Sequence, residues 1–456
     1  MLFPAAVLNL STHCRAPACR IAATLLGLAL ASFGGVTAAH AADAAHAPHA
    51  PAGHAHAAHA ALDPADPINV LVRDSEQALV RGDSIAAQAG FERAAATRHA
   101  AQIEMGLVRA SMQAGAYREA LGFCAHAAGG HLDEPAASAL YAWLLRVGAQ
   151  DAVAERVLSD ALRRAPLDAV ALATRAAFDA GLVAPPSGVL LALPHRLAPQ
   201  PHPLAGQAAP LPGTRSVSAG VLLDGGRLAL VPLTALLPRT TPATPATPAT
   251  PVAQPRLWLR NGLGQTTEAV ADAAAQAPFV PLGLLLLRLL EPLPLPVSVS
   301  ASPASDATRA AASQLAPRDA FAGSSGYALA YPGSADAAAA WPTLHAGFLG
   351  GAAPQPGSRQ LGFAVPSGPL GGPVFDAAGR VAGIALGSTA APGSTAQATL
   401  LPVSMWRAAV AAALAGAVPA APAAGAVVEA APTARMAADE VYERGLKIAL
   451  QLLVGP

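Results

Sequence analysis

Two patterns of apolar positions divide this chain. Between residues 68 and 180 they recur at helical spacing. Further along they come as short runs broken by glycine and proline. In the first region Gly82-Asp83 is followed by Ala87, Phe91 and Ala94, and Gly115-Ala116-Tyr117 by Ala120, Cys124 and Ala127. Ala149 is followed in the same way by Ala154, Leu158 and Ala161-Leu162, then Pro166. Offsets of +5, +9 and +12 place these residues on one helical face. A glycine or alanine opens each frame, where a turn between helices leaves no room for bulk. The frame returns every 33 to 34 residues, the period of stacked helix-turn-helix units. Trp143 and Tyr141 fall on the first helix of the third unit. The pattern predicts an all-α array over residues 67–181.

Residues 216–413 alternate short apolar runs with Gly/Pro turns, which predicts an all-β domain. A proline-rich linker, 182–215, separates it from the array. Within it, residues 240–251 repeat Thr-Pro-Ala, an insertion expected to stay extended and solvated. A second Ala/Pro linker spans 414–435. Residues 436–454 read as an amphipathic helix. Its stripe is Val441, Tyr442, Leu446, Ile448, Ala449, Leu452 and Leu453, with Asp439, Glu440 and Glu443 near the N-terminus, where the helix dipole favours them.

Composition adds a few bounds. The chain is 53% hydrophobic but only 4% aromatic, so much of the apolar content is alanine, which buries little area. Formal net charge is zero and no basic stripe stands out, which removes the electrostatic case for nucleic acid. Residues 1–41 carry the marks of an export signal: Arg15 and Arg20, the apolar run Ile21 to Val36, then Ala39-His40-Ala41 as a cleavage site. The expectation is a periplasmic or secreted protein with no integral membrane segment after cleavage; an uncleaved anchor is the alternative. Phe279 to Leu290 is too short to span a bilayer. Cys14 and Cys19 leave with the signal, so Cys124 stands alone and no internal disulfide forms. Residues 42–66 are Ala, Pro and His, with too few large apolar groups to fold. His46, His49, His54, His56 and His59 could chelate a divalent metal from this tether, although their spacing matches no structural zinc motif and a solvated linker is the favoured reading. No pattern in the chain calls for an organic cofactor.

The repeat frame resembles the tetratricopeptide repeat family over roughly 110 residues, and that likeness implies a concave surface for a protein or peptide partner. The β region holds a more specific string: Gly368-Pro369-Leu370-Gly371-Gly372-Pro373-Val374-Phe375-Asp376, then Gly379-Arg380-Val381-Ala382-Gly383-Ile384. It resembles the nucleophile region of trypsin-like serine proteases, closest to the Deg/HtrA type. Other parts follow in the family's order: Ser218–Leu223 with Gly225–Leu228 as the opening hairpin of a first barrel, Gly283–Leu289 as the strand that starts at the triad aspartate, and Tyr327–Gly333 with Thr343–Phe348 as the first hairpin of a second barrel. Leu401-Pro402-Val403 and Trp406 match the last strand and the helix after it. The resemblance implies a double β-barrel.

The same alignment implies that the catalytic relay is gone. Leu370 stands at the nucleophile, Leu233 at the general base and Gly283 at the orienting aspartate, and none of these side chains can do acid, base or nucleophilic work. Gly368, Gly371 and Gly372 remain as a vestigial oxyanion turn. The expected function is a non-catalytic envelope adaptor, a pseudoprotease that binds protein or peptide. Two alternatives stay open: a divergent active endopeptidase using Ser367 or His345, and metal binding by the N-terminal histidines.

Overall fold

The computed structural model describes residues 66–179, 202–203, 210–236, 255–295, 314–331, 341–353, 356–365, 370–387, 398–415 and 435–455. The export signal, the five tail histidines, most of the two linkers, the Thr-Pro-Ala insertion, Ser367 and Gly368 lie outside these residues.

Seven helices open the described chain: α1 (Pro67–Val80), α2 (Ser84–Ala95), α3 (Ala101–Ala114), α4 (Tyr117–Gly130), α5 (Pro135–Val147), α6 (Asp151–Arg164) and α7 (Ala169–Asp179). Proline at the first position and the Asp66 carboxylate, which accepts the Ile68 amide at 2.8 Å, start α1. The turns inside the three helical pairs pass through Gly82, Gly115 and Ala149, with φ of 78°, 81° and 64°. This left-handed geometry explains the glycine at the first two positions, and the third carries an alanine in the same strained place. The face counted from each turn is buried throughout: Ala87, Phe91, Ala94, Ala120, Cys124, Ala127, Ala154, Leu158 and Ala161 all lie in the core. Helix packs on helix through alanine, so the axes approach closely.

Thirteen strands follow among the described residues: β1 (His202–Pro203), β2 (Arg215–Leu223), β3 (Leu228–Pro232), β4 (Leu257–Asn261), β5 (Gln265–Ala271), β6 (Leu284–Leu289), β7 (Ser324–Ala330), β8 (Thr343–Ala352), β9 (Arg359–Leu361), β10 (Pro373–Asp376), β11 (Val381–Gly387), β12 (Ala398–Pro402) and β13 (Ala449–Val454). Helix α8 (Arg407–Ala415) follows β12, and α9 (Ala438–Ile448) runs directly into β13. Strands β7 to β12 close a barrel in the circular order β7-β8-β9-β12-β11-β10. Strands β2 to β6 form a second ring that their own five members cannot close. The last strand of the chain closes it: β13 pairs antiparallel with β2 on one side and β4 on the other, giving β13-β2-β3-β6-β5-β4. The two rings then share one order, with β13 in the place that β7 holds in the other barrel. The short β1 adds to β5 in parallel outside the ring.

The expected fold class, an all-α array followed by an all-β double barrel, is the one observed. Three expectations are corrected by the closing strand. Residues 436–454 are not one helix, because α9 stops at Ile448 and the last six residues are strand. A short apolar run such as Ile448–Val454 has no period that separates helix from strand, and two open strand edges decide the matter. The barrel domain is not contained in 216–413, since it needs 449–454. The β2–β3 hairpin supplies the second and third positions of its ring, not the opening ones.

Packing accounts for the continuous apolar runs. Leu285, Leu287 and Leu289 of β6 point into the first barrel with Ala229 and Val231 of β3 and Leu450, Leu452 and Val454 of β13. The alternate residues Leu284, Leu286, Leu228 and Leu230 join the large core shared with the second barrel and the helices. Strands buried on both faces lose the polar alternation of a half-exposed sheet. Helix α9 fastens the array to the barrels. Tyr442 stacks edge-on against Tyr117 of α4 at 4.4 Å between ring centroids, and its hydroxyl donates to the Pro342 carbonyl at 2.8 Å. The Gly262 amide donates to the Leu446 carbonyl, and Arg118 reaches Glu440 at 3.0 Å. No helix among the described residues is long and apolar enough to cross a membrane.

Candidate functional site

Leu233, Gly283 and Leu370, the three positions singled out in the sequence, are linked through the end of β3, the start of β6 and the entry to β10. Leu233 follows β3 in a short 3-10 turn, and its amide donates to the Gly283 carbonyl at 2.8 Å. Gly283 has φ 71°, a left-handed residue that ends the turn Val280–Leu282 and starts β6. The Leu370 carbonyl accepts from the Ser218 hydroxyl at 2.7 Å and from the Ala219 amide at 3.2 Å, which ties this segment to β2. A Cβ at Gly371 would stand 2.4 Å from Cδ of Pro232, the residue before Leu233.

The glycines of the string have packing reasons of their own. Gly371 has φ 119°, and its amide donates to the Ala385 carbonyl at 2.8 Å. A Cβ at Gly372 would meet the Leu329 carbonyl oxygen at 2.0 Å. Backbone crosses backbone here, and only glycine allows that approach. The described part of the turn is thus joined to β7 and β11, and the Gly371 amide is not offered to a ligand.

Of the two residues weighed for a divergent active site, Ser367 lies outside the described residues and His345 is described. His345 sits on β8, half-buried, with Asp151 and Arg146 of the helical array as its charged neighbours. Burial pulls its imidazole down to about 4, and its Nε2 is buried without a hydrogen-bond partner. Ser218 is the serine the sequence reading passed over. Its hydroxyl is buried beside Leu370 and is directed at two carbonyls, Leu370 at 2.7 Å and Ala219 at 2.9 Å. No motif marks it, since its position depends on β2 crossing the entry to β10.

A buried polar pair lies behind the first barrel. Arg260 on β4 donates twice to the Gln451 carbonyl oxygen on β13, at 3.1 and 2.6 Å, and the Gln451 amide donates to Ser216 at 3.0 Å. Burial draws the Arg260 guanidinium down to about 10. This pair pins the register of the closing strand.

No protein-family model matches the chain, and no curated protein matches it in sequence. Solved structures do align with it. The MamO protease domain from Magnetospirillum magneticum is 14% identical, over 43% of this chain and 95% of that one, with a TM-score of 0.24. A mutant of human heparin binding protein is 15% identical, over 47% and 98% of the two chains, with a TM-score of 0.28. Deg5 is 17% identical, over 43% and 86%, with a TM-score of 0.27. These values are too low to carry an argument, and the double barrel rests on its own strand pairing.

Proposed function

We propose that this chain is a non-catalytic binding scaffold, a trypsin-like double barrel without its proton relay, carried with a helical array that holds a protein or peptide partner. The observation that supports the reading most directly is His345. It is the one imidazole of the barrels whose side chain is described, its charged neighbours are Asp151 and Arg146 of the array, and its buried Nε2 has no hydrogen-bond partner. A serine hydroxyl without a base within reach has no route to an acyl-enzyme. Replacing a buried acid–base–nucleophile cluster by aliphatic residues also removes polar groups that would need partners, so the scaffold gains stability as it loses chemistry.

The array supplies the partner surface in this reading, as the repeat resemblance implies, and export through residues 1–41 puts it in the periplasm or outside the cell. A fluorophosphonate probe on the full chain, with trypsin as the positive control, tests the loss of activity. No labelling is expected. Labelling that disappears in Ser367→Ala or Ser218→Ala overturns the reading. Fractionation of cells making the chain with and without residues 1–41 tests export: the full chain belongs in the envelope or medium and the shortened one in the cytoplasm.

A further inference from the structure

One group of ligating side chains lies outside the barrels and plays no part in the reading above. It is built at one end of the α3–α4 hairpin. Antiparallel packing sets the start of α3 beside the end of α4, so residues far apart in sequence meet. His99 stands in the connection that leads into α3, Glu104 on the first turn of α3, His126 near the end of α4 and His131 at its C-cap.

Three imidazoles surround one carboxylate. Glu104 Oε1 lies 2.8 Å from His99 Nε2 and 3.3 Å from His126 Nε2, and Oε2 lies 3.5 Å from His131 Nε2. The Nε2 atoms of His99 and His126 are 3.1 Å apart. One ligand atom from each of His99, Glu104 and His131 lies within 4.8 Å of the other two. Bonds of about 2.0–2.1 Å around a tetrahedral ion set its ligand atoms about 3.4 Å apart, close to these separations.

A second observation points to a ligand. Glu104 is only 6% exposed, yet its Oε2 makes no hydrogen bond, and neither does the buried Nε2 of His131 that faces it. A buried carboxylate oxygen that faces an imidazole nitrogen at 3.5 Å without making a hydrogen bond is costly. A hydrogen-bonded network does not remove that cost here, because His99 and His126 both crowd Oε1 and each other. A cation between the rings resolves both problems. Neutral imidazoles offer it lone pairs, and the carboxylate is neutralised. His99 is exposed over 59% of its side chain, which leaves a path for entry.

We propose that the helical array holds a divalent first-row transition ion of the zinc class, with His99, Glu104 and His131 as ligands. Imidazole-rich N/O donor sets favour zinc and its neighbours over magnesium or calcium. The ion would clip the α2–α3 connection to the end of α4. The proposal is independent of what the barrels do.

The test uses the full chain with His40, His46, His49, His54, His56 and His59 all replaced by alanine, so that the tail cannot chelate. Zn2+ is titrated by calorimetry, and Co2+ by visible absorption, which reports tetrahedral coordination. One saturable ion per chain is expected, with a rise in melting temperature on adding Zn2+. His99→Ala removes an exposed ring and leaves the helices intact, as circular dichroism can verify. It should weaken binding by at least about 10–100-fold, the loss that even outer-shell partners of a metal ligand produce. Glu104→Gln should do the same and abolish the tetrahedral Co2+ spectrum. If the chain lacking tail histidines binds no ion with defined stoichiometry, or if folded His99→Ala binds as tightly as its parent, the site does not exist.

Discussion

Cutting the chain before Ala449 is the sharpest perturbation the fold offers. It removes the eight residues 449–456, six of which form β13, and leaves every other element in place. All six residues of β13 are buried, and Leu450, Leu452 and Leu453 are fully so. Burying a leucine or valine side chain contributes about 1.5–3 kcal/mol, so the three leucines and Val454 together account for roughly 8 kcal/mol. The net stability of a whole domain is only about 5–15 kcal/mol. The cut also strips both ladders, Ala449 to Val454 against Val221 to Arg215 on β2 and Leu450 to Val454 against Asn261 to Leu257 on β4. Two unpaired edges then face solvent, which invites aggregation. The truncated chain should lose the cooperative urea transition of its first barrel, seen as an early change in fluorescence from Trp258, the β4 partner of Leu453. A synthetic peptide of residues 437–455 should restore it in part. The milder Leu452→Ala should lower stability by about 2–5 kcal/mol through the cavity it leaves, whereas Leu290→Ala, at a half-exposed position, should change it by less than about 0.5 kcal/mol. If the truncated chain unfolds at the parent's urea midpoint with an unchanged tryptophan signal, the closing strand is misplaced and the shared strand order falls with it.

Three further outcomes follow from single positions. Ala149→Gly, which relieves a left-handed alanine at φ 64°, should raise the urea midpoint by the equivalent of about 1 kcal/mol. Gln451→Leu removes the acceptor of two Arg260 hydrogen bonds and should cost about 1–3 kcal/mol, with Gln451→Glu recovering most of it in the same assay. His345 sets a pH dependence. Its imidazole is held near 4 when folded, against an ordinary 6.5, so above pH 6.5 neither state is protonated and the ring has no effect. Between 6.5 and 4 only the unfolded chain takes the proton, so stability falls as pH falls, by on the order of 3 kcal/mol, and levels off below 4. Urea midpoints across that window should show the slope in the parent and lose it in His345→Phe.

What was legible in the sequence depended on repetition and on backbone constraint. The helical frame announced itself because Ala87, Phe91 and Ala94 recur one unit later as Ala120, Cys124 and Ala127, and every one of them is buried. The glycine string could be aligned because Gly371 and Gly372 are fixed by contacts with Pro232 and Leu329 that no side chain could share. By contrast β13 has no pattern of its own. Both its faces are buried, so the alternation that betrays a strand is missing, and its partners lie more than two hundred residues upstream on one side. The His99, Glu104, His126 and His131 group was hidden for a related reason. Attention to histidine fell on the dense tail, whereas the folded cluster is assembled by the antiparallel return of α4. The available signal was a pair of five-residue offsets, His99 to Glu104 at the start of α3 and His126 to His131 at the end of α4, and that becomes informative only once the hairpin is known.

The closing strand also bears on why an array of three helical pairs is stable. Stacked repeats bury their faces only against neighbours, so terminal units need a cap. Here α9 covers part of α4 in the middle pair, with Tyr442 against Tyr117, which adds burial that neighbouring repeats do not supply, and α9 continues into β13 with no linker between them. The Ala449 carbonyl at that junction accepts the Tyr331 hydroxyl of the second barrel at 2.9 Å. One short segment therefore touches the array, completes the first barrel and bonds to the second. Loss of packing at Tyr117 should then be felt at the barrel junction, because the helix that covers it has no slack with which to absorb a shift. In the proposed binding role, that coupling would hold a partner on the helices in a fixed geometry relative to the barrels.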